Sequence, residues 1–363
     1  MLKQQKIFFD FLRFCIGSAK DIPGSLKEVD WKELYAIAQK QALLGVLFHG
    51  IQRLPKELAP EQKLVMQWLA MAEMIRKQNI RLFLDSVKVC KNFENKGFAN
   101  CILKGQGNAL LYPDPYMRTP GDIDIYLSGG RKKIMKYVDQ VCPNQVMRYH
   151  HVDFPVMKTA IEVHFTPSYM FYPIHNRRMQ KWFEEVMGEQ CNHRVSLPDG
   201  YGEIHVPQVS FNVIYILSHL YRHIFTEGIG LRQLLDYYYV LISDDLLLIR
   251  DRVQKELKPL GLWKFAQAVM FVMKEVFGLS EDRMIAPTDE KEGRFLLDEI
   301  MRGGNFGQYD DRMGSKVGES KIHRYFRMNL RNLRFVKHYP TEALSEPLFR
   351  TWFALWKKIH GIR

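Results

Sequence analysis

Apolar residues in the first quarter of the chain recur every three or four positions. Stripes of this kind run over residues 8–15, 31–46 and 64–93. The spacing places apolar side chains on one face of a helix. The pattern therefore predicts an N-terminal helical region over residues 1–95.

The middle of the chain changes to strict alternation of polar and apolar residues. Asp122 and Asp124 alternate with apolar residues over 122–127, and residues 158–165 alternate in the same way. Period-two alternation is typical of a strand with one buried face. These runs predict an α/β core over residues 96–208.

Helical spacing returns after residue 210. We expect helices over residues 211–220, 230–242, 246–256 and 262–277, followed by two basic, aromatic helices. They form a predicted C-terminal helical region over residues 209–363. The three regions together predict an α+β fold, with a small sheet core flanked by N-terminal and C-terminal helices.

The composition limits the class of protein. The 363 residues are 47% hydrophobic and 25% charged, which is ordinary for a globular protein. No run approaches the ~18 consecutive apolar residues of a membrane span, so we expect no transmembrane segment. The five cysteines are odd in number and lack metal-site spacing, which predicts a reducing, cytoplasmic location.

The formal net charge of +12 is concentrated near the C-terminus. Residues 312–363 contain twelve Lys or Arg and three Asp or Glu. Such a surplus favours polyanionic partners such as nucleic acid, although a solvated helix face is the simpler interpretation. The final helix also carries an apolar stripe from Phe349 to Ile359. It could bind a membrane surface or a partner, but we expect it to dock onto its own domain.

The strongest candidate chemistry is the pair Asp122 and Asp124, which follows the turn at Pro120–Gly121. Both carboxylates project from one face of the predicted strand, where they repel each other unless a cation compensates them. Hard oxygen ligands of this kind suit Mg²⁺. Asp is also common in turns, but the Gly turn upstream and the acidic strand downstream favour the metal site.

The second alternating run carries Glu162 and His164 on its polar face. If this strand pairs beside the first, Glu162 completes a three-carboxylate cluster for one or two divalent ions. We expect His164 to orient Glu162 through a hydrogen bond. His150 and His151 match no zinc-site spacing, which favours a structural or substrate-side role.

Residues 98–107 are predicted to form a strand that runs through a Gly turn into a short helix. Backbone N–H groups near Gly105 and Gln106, with the charge of Lys104, predict a phosphate contact. Arg118 could pair with a carboxylate or bind phosphate. Arg232 and Asp236 lie one helical turn apart and most simply form an ion pair.

This arrangement resembles the DNA polymerase β-like nucleotidyltransferase superfamily, and within it a bacterial family of uncharacterised nucleotidyltransferases. The resemblance covers residues 30–280 in outline and is specific over 102–165. The motifs that carry it are Leu103-Lys-Gly105, Tyr112-Pro-Asp-Pro115, Arg118, Gly121-Asp-Ile-Asp124, His150-His151, Ile161-Glu-Val-His164, and Leu231-Arg232 with Asp236. Lys104-Gly105 replaces the Gly-Ser pair with which many members grip the triphosphate.

The resemblance implies a small mixed-sheet nucleotidyltransferase-like core. It implies an enzyme that uses Mg²⁺ or Mn²⁺, with two ions possible, to move an NMP from a nucleoside triphosphate to an unknown acceptor. The implied catalytic and metal-binding residues are Asp122, Asp124 and Glu162. The implied nucleotide-binding residues are Lys104, Gly105, Gln106, Arg118 and Arg232. The alternative is a weak or inactive scaffold that regulates by binding RNA or protein through its basic C-terminal helices.

Overall fold

The computed structural model describes residues 3–313 and 320–362. In this part of the chain the helices are α1 (Lys3–Ile16), α2 (Trp31–Lys40), α3 (Leu44–Ile51), α4 (Gln62–Asn95), α5 (Gln106–Ala109), α6 (Gly130–Val141), α7 (Pro173–Gln190), α8 (Val209–Thr226), α9 (Leu231–Leu241), α10 (Asp244–Leu257), α11 (Trp263–Val272), α12 (Glu290–Gly303), α13 (Lys321–Val336) and α14 (Pro340–Ile359). The strands are β1 (Asn100–Ile102), β2 (Ile123–Leu127), β3 (His151–Asp153), β4 (Ile161–His164), β5 (Arg194–Ser196) and β6 (Glu203–His205). The α+β fold class is confirmed.

The central sheet has four strands in the order β1-β2-β4-β3. Strands β2 and β4 are parallel, whereas β1 and β3 run antiparallel to their neighbours. Helix α6 makes the crossover between the parallel strands, since a parallel pair needs a long connection. Strands β5 and β6 form a separate antiparallel hairpin.

Two hydrophobic clusters hold the structure together. One lies around the central sheet and includes Ile125, Val163 and Phe93. The other joins helices from both ends of the chain, so that Phe11 of α1 belongs to the same cluster as Phe265 of α11. The N-terminal and C-terminal helices therefore share one core beside the sheet.

The N-terminal stripes match the helices except at one break. The stripe predicted over residues 31–46 is divided between α2 and α3, because the chain turns at Gln41–Leu43 with Ala42 at a φ of 56°. A non-glycine residue in this left-handed region ends a helix. The stripe over 64–93 forms α4, a single helix of 34 residues.

The segment between α5 and β2 is held by the N-terminal helices. Asn79 of α4 donates its amide to the carbonyls of Tyr116 and Arg118, both at 2.8 Å. Thr119 donates its hydroxyl to the carbonyl of Ala42 at 2.7 Å. The helices thus fix the chain that leads into the Asp122–Asp124 strand.

Helices α13 and α14 pack against each other as a C-terminal hairpin. The predicted docking of the final helix is confirmed for Phe349, which stacks on Tyr169 at a ring distance of 5.1 Å. It is also confirmed for Phe353 and Trp356, which pack against the cluster around the sheet, and in part for Trp352, which contacts Tyr149 but is half exposed. It is wrong for Ile359, which is 80% exposed. The helix has two apolar faces, and only one packs on the body of the protein.

The outer face of this hairpin is apolar and lacks exposed carboxylates. Large side chains that are at least half exposed recur there at helical spacing: Phe326, Leu330, Leu333, Leu344, Leu348, Trp352, Leu355 and Ile359. The two acidic residues in residues 320–362, Glu342 and Glu346, are buried. Among the described residues, no helix has the length and apolar character that crossing a bilayer requires.

A close approach between α3 and the chain before β2 gives a first prediction. A Cβ added at Gly45 would lie 2.3 Å from the carbonyl oxygen of Met117, whereas one at Gly188 of α7 would meet no atom within 4 Å. We expect Gly45→Ala to lower the free energy of unfolding by about 1–3 kcal/mol, as overpacking does. The control Gly188→Ala should raise it by about 0.5–1 kcal/mol through helix propensity. Urea denaturation of both variants checks this, and equal effects would contradict the close approach.

Candidate active site

Two neighbouring strands bring the predicted acidic residues together. Asp124 on β2 and Glu162 on β4 are direct partners in the parallel register. Alternation points their side chains to the same face of the sheet, the face on which Tyr215 and His219 of α8 lie beside Asp124. The acidic strands therefore meet as the alternation predicted.

Asp124 is buried between two basic groups. Its carboxylate lies 3.2 Å from Nζ of Lys104 and 3.0 Å from Nε2 of His164. Burial alone would raise the pKa of Asp124, but Lys104 and the His164 hydrogen bond outweigh it and hold this pKa well below its usual range. Asp124 is therefore ionised and already paired with cations from the protein.

Asp122 differs from Asp124 because it has no comparable partner. Repulsion from Asp124, together with burial, raises the pKa of Asp122 to about 6. Lys104 offsets only part of this repulsion. The two carboxylates therefore carry opposite pKa shifts, which is a frequent property of functional sites.

Lys104 connects the Gly turn to helix α8. Its ammonium lies 3.2 Å from Nε2 of His219 as well as 3.2 Å from Asp124. The next residue, Gly105, has a φ of 64° and starts α5. This left-handed conformation favours glycine, and it allows the chain to turn from β1 into the helix directly beside the acidic pair.

Arg118 forms a bidentate ion pair with Asp236. Its Nε and Nη2 donate to the two carboxylate oxygens at 2.7 and 2.8 Å, and Tyr112 donates its hydroxyl to the same carboxylate at 2.7 Å. Of the two roles left open for Arg118, the structure shows the carboxylate pair. The predicted pairing of Arg232 with Asp236 is wrong, because Arg232 instead donates to the carbonyl of Thr119 at 3.0 Å.

Three buried histidines lie beside Glu162. Nδ1 of His151 is 3.2 Å from Oε2 of Glu162 and 3.2 Å from Nε2 of His150. Nε2 of His164 is 3.6 Å from the same Glu162 oxygen. Burial lowers the pKa of His151 to about 2 and that of His150 well below its usual range. Burial opposes protonation of His164 too, but its hydrogen bonds to Asp124 and Glu162 raise its pKa.

A narrow cavity connects several of these groups. Its lining includes six of the predicted site residues: Lys104, Gly105, Arg118, Asp122, Asp124 and Arg232. Glu162 and Gln106 are not part of this lining, and the side chain of Gln106 is fully buried. The cavity volume is about 30 Å³, which is room for a water molecule or two. A larger ligand therefore requires the lining to open.

The donor set fits a divalent cation. One ligand atom each from Asp124, Glu162 and His164 lies within 4.8 Å of the others. Oδ2 of Asp124 faces the ammonium of Lys104 at 3.2 Å, a position that a metal cation could take, and carboxylate oxygens are the ligands that hard cations prefer. Asp122 is not part of this group, although it faces the same cavity as Asp124.

Sequence reasoning missed the groups that come from distant helices. His219 of α8 is one of them, because it contacts Lys104 across 115 residues of chain. His164 lies closer to Asp124 than to Glu162, the residue it was expected to orient. Alternation identifies the face on which His164 lies, but it contains no signal for which acid the ring meets.

Comparison with known protein families matches residues 27–278 to a family described as "Uncharacterised nucleotidyltransferase". The match covers more than half of the chain and contains every predicted site residue, whereas Phe306 of the cavity lining lies outside it. It ends before α12, so the C-terminal hairpin lies outside it. Comparisons with curated proteins and with solved structures find no match.

The opposite pKa shifts give a prediction for metal-free protein. Asp122→Asn removes a carboxylate that is repelled by Asp124, so it should raise the free energy of unfolding at pH 7.5. The pKa shift of about two units bounds the gain at about 3 kcal/mol. Because the pKa of Asp122 is raised in the folded state, wild-type stability falls as pH rises from about 4 to about 6. The gain should therefore appear above pH 6 and vanish below pH 4.

Asp124→Asn is the matched comparison. It leaves Lys104 and His164 without their buried partner and should lower the free energy of unfolding by about 3–5 kcal/mol. Denaturant titrations with a chelator at pH 4 to 8 measure both variants. Shifts of the same sign in the two variants would contradict the electrostatic difference between the aspartates.

Proposed function

The chain belongs to the uncharacterised nucleotidyltransferase family, and we propose that it is a metal-dependent enzyme that moves an NMP from a nucleoside triphosphate to an acceptor. The observation that carries the proposal is the placing of Asp122 and Asp124 on one cavity with Lys104 and Arg232. Two carboxylates that can hold a metal ion, together with two cationic side chains, suit phosphoryl transfer, because cations balance the charge of the phosphates.

Asp122, Asp124 and Glu162 are the proposed metal ligands, for Mg²⁺ or Mn²⁺ and for one or two ions. When bound, a divalent ion neutralises triphosphate charge and lowers the pKa of an acceptor hydroxyl. The fit rests on the carboxylate chemistry and on the close grouping of ligand atoms from Asp124, Glu162 and His164. Asp122, with its raised pKa, also suits acceptance of a proton from the acceptor.

Phosphate binding is proposed for the basic side of the cavity. Lys104 would move its ammonium from Asp124 to a phosphate oxygen, and the backbone at Gly105 and Gln106 would add N–H donors. Arg232 is directed at the cavity from α9 and has its Nε free of a hydrogen bond. Arg118 already gives two N–H groups to Asp236, so its contact with phosphate would fall to Nη1.

Opening of the lining is a consequence of the cavity's size. Phe306, at a φ of 51°, lies on the cavity wall with the guanidinium of Arg232 over its ring at 5.3 Å. A nucleotide would displace this aromatic ring or stack on it. We further propose a cytoplasmic location, supported by five cysteines that are all unpaired.

Calorimetry with Mg²⁺-ATP and Mg²⁺-GTP tests the nucleotide site. We expect the double variant Asp122→Ala/Asp124→Ala to lose at least tenfold in affinity, because the metal that bridges triphosphate and protein would be lost. The control Asp251→Ala changes an exposed carboxylate on α10 and should bind as wild type does. Equal binding by the double variant and wild type, with both folded by circular dichroism, would remove the assignment.

The second candidate is a weak or inactive scaffold that regulates through its C-terminal hairpin. The observation in its favour is the hairpin's outer face, which combines exposed apolar side chains with basic residues and no exposed carboxylate. Contiguous exposed apolar surfaces of this kind are typical of interaction sites. Basic residues such as Arg324 and Lys358 would attract RNA or an acidic protein.

A binding assay with labelled RNA separates the two candidates. If the protein is an RNA-binding regulator, it should bind labelled RNA with an affinity that falls as salt is added. The double variant Lys357→Glu/Lys358→Glu should weaken this binding at least tenfold, and Asp122→Ala/Asp124→Ala should leave it unchanged. Absence of a shift at low salt would remove RNA as the partner.

A further inference from the structure

The three histidines beside Glu162 form a donor cluster that the proposed transfer does not use. They comprise His150 and His151 at the start of β3 and His164 at the end of β4. Their ring centroids lie 4.4 to 5.2 Å apart, and one nitrogen from each lies within 4.8 Å of the others. All three side chains are at most 5% exposed. Three imidazoles are therefore held together in the interior.

We infer that these histidines, with Glu162 and Asp124, bind a first-row transition-metal ion such as Mn²⁺ or Zn²⁺ in preference to Mg²⁺. The inference rests on the proposed function only for the role of Asp124 and Glu162 as metal ligands. It adds imidazole ligands to the carboxylates of Asp124 and Glu162. Imidazole suits transition ions, whereas Mg²⁺ takes oxygen ligands and retains water.

The spacing of the donor atoms supports this site. The distances from His164 to Asp124, from His151 to Glu162 and from His164 to Glu162 are 3.0, 3.2 and 3.6 Å. Two ligands bonded to one ion at about 2.1 Å lie about 3.0–3.4 Å apart. These three pairs, which involve His151, His164, Asp124 and Glu162, already have nearly the separations that a shared ion imposes.

Hydrogen bonds within the protein do not account for the cluster. Nδ1 of His151 faces both Glu162 and Nε2 of His150, and Nε2 of His164 faces both carboxylates. Each of these nitrogens carries at most one proton. A proton on either nitrogen therefore reaches only one of its two neighbours, whereas a cation placed among these atoms would bind them together.

Charge and access also suit a divalent ion. Asp124 and Glu162 supply two carboxylates against the ion. The Glu162 side chain is 27% exposed, so an ion can reach the cluster past it. Lys104, which lies 3.2 Å from Asp124, would give up this contact when the ion binds.

Pulsed EPR of the full-length protein with Mn²⁺ tests the ligands directly. We expect ¹⁴N couplings from directly bound imidazole in wild type, and the same couplings in the control His360→Gln, which changes an exposed ring. Bound Mn²⁺ that shows no nitrogen coupling would overturn the inference, and this measurement requires no variant to fold.

Calorimetry tests the preference. We expect Mn²⁺ to bind wild type at least tenfold more tightly than Mg²⁺, and His151→Gln to lose at least tenfold in Mn²⁺ affinity with Mg²⁺ affinity unchanged. His150→Gln provides a second variant if His151→Gln fails to fold. Equal affinities of wild type for the two ions, or equal losses for both in a folded variant, would overturn the preference.

The two proposals fail separately, because Asp122 faces the cavity but does not belong to the cluster. Nitrogen couplings without Mg²⁺-ATP binding would support the metal site and remove the proposed transfer. Nucleotide binding that depends on Asp122, with no nitrogen coupling to Mn²⁺, would support the proposed transfer and remove the histidine metal site.

Discussion

The buried ion pair between Arg118 and Asp236 is the interaction on which the site's geometry depends. It joins the chain just before the Asp122–Asp124 strand to helix α9, across 118 residues of sequence. Both side chains are under a tenth exposed, and Tyr112 completes the carboxylate's hydrogen bonds. A buried pair is well tolerated only when its geometry and remaining hydrogen bonds are satisfied, and loss of one partner leaves an isolated buried charge. The cavity between sheet and helices therefore exists because this pair holds its two walls together.

On the acidic face of the sheet, too, a buried charge is compensated by charged side chains of the protein. Asp124 is neutralised by Lys104 and His164, whereas Asp122 is left with a raised pKa. Side chains of the protein therefore compensate the charge of Asp124, whereas the charge of Asp122 is left without a comparable partner. A metal or a phosphate that replaced Lys104 beside Asp124 would couple ligand binding to rearrangement of the Gly turn.

The spacing of polar and apolar residues was sufficient to locate most of the helices and strands and to predict which face of a strand carries each acidic residue. Alternation located Asp122, Asp124 and Glu162 on one side of a sheet, and helical spacing located α4 and α8. Pattern could not give the Asp236 partner of Arg118 or the His219 partner of Lys104, because each lies more than 100 residues away and only the folded chain brings it close. The division of α2 from α3 escaped for another reason, since the left-handed turn at Ala42 interrupts no apolar stripe.

The apolar outer face of the α13–α14 hairpin has a consequence for how copies of the protein meet in solution. Positive charges of the hairpin keep such faces apart at low ionic strength, since like charges repel over a Debye length of about 10 Å at 0.1 M salt. At 1 M salt this length shortens to about 3 Å, while the attraction between apolar surfaces persists. Self-association of the protein should therefore increase as salt is added. The exposed leucines of the hairpin would form the contact between copies.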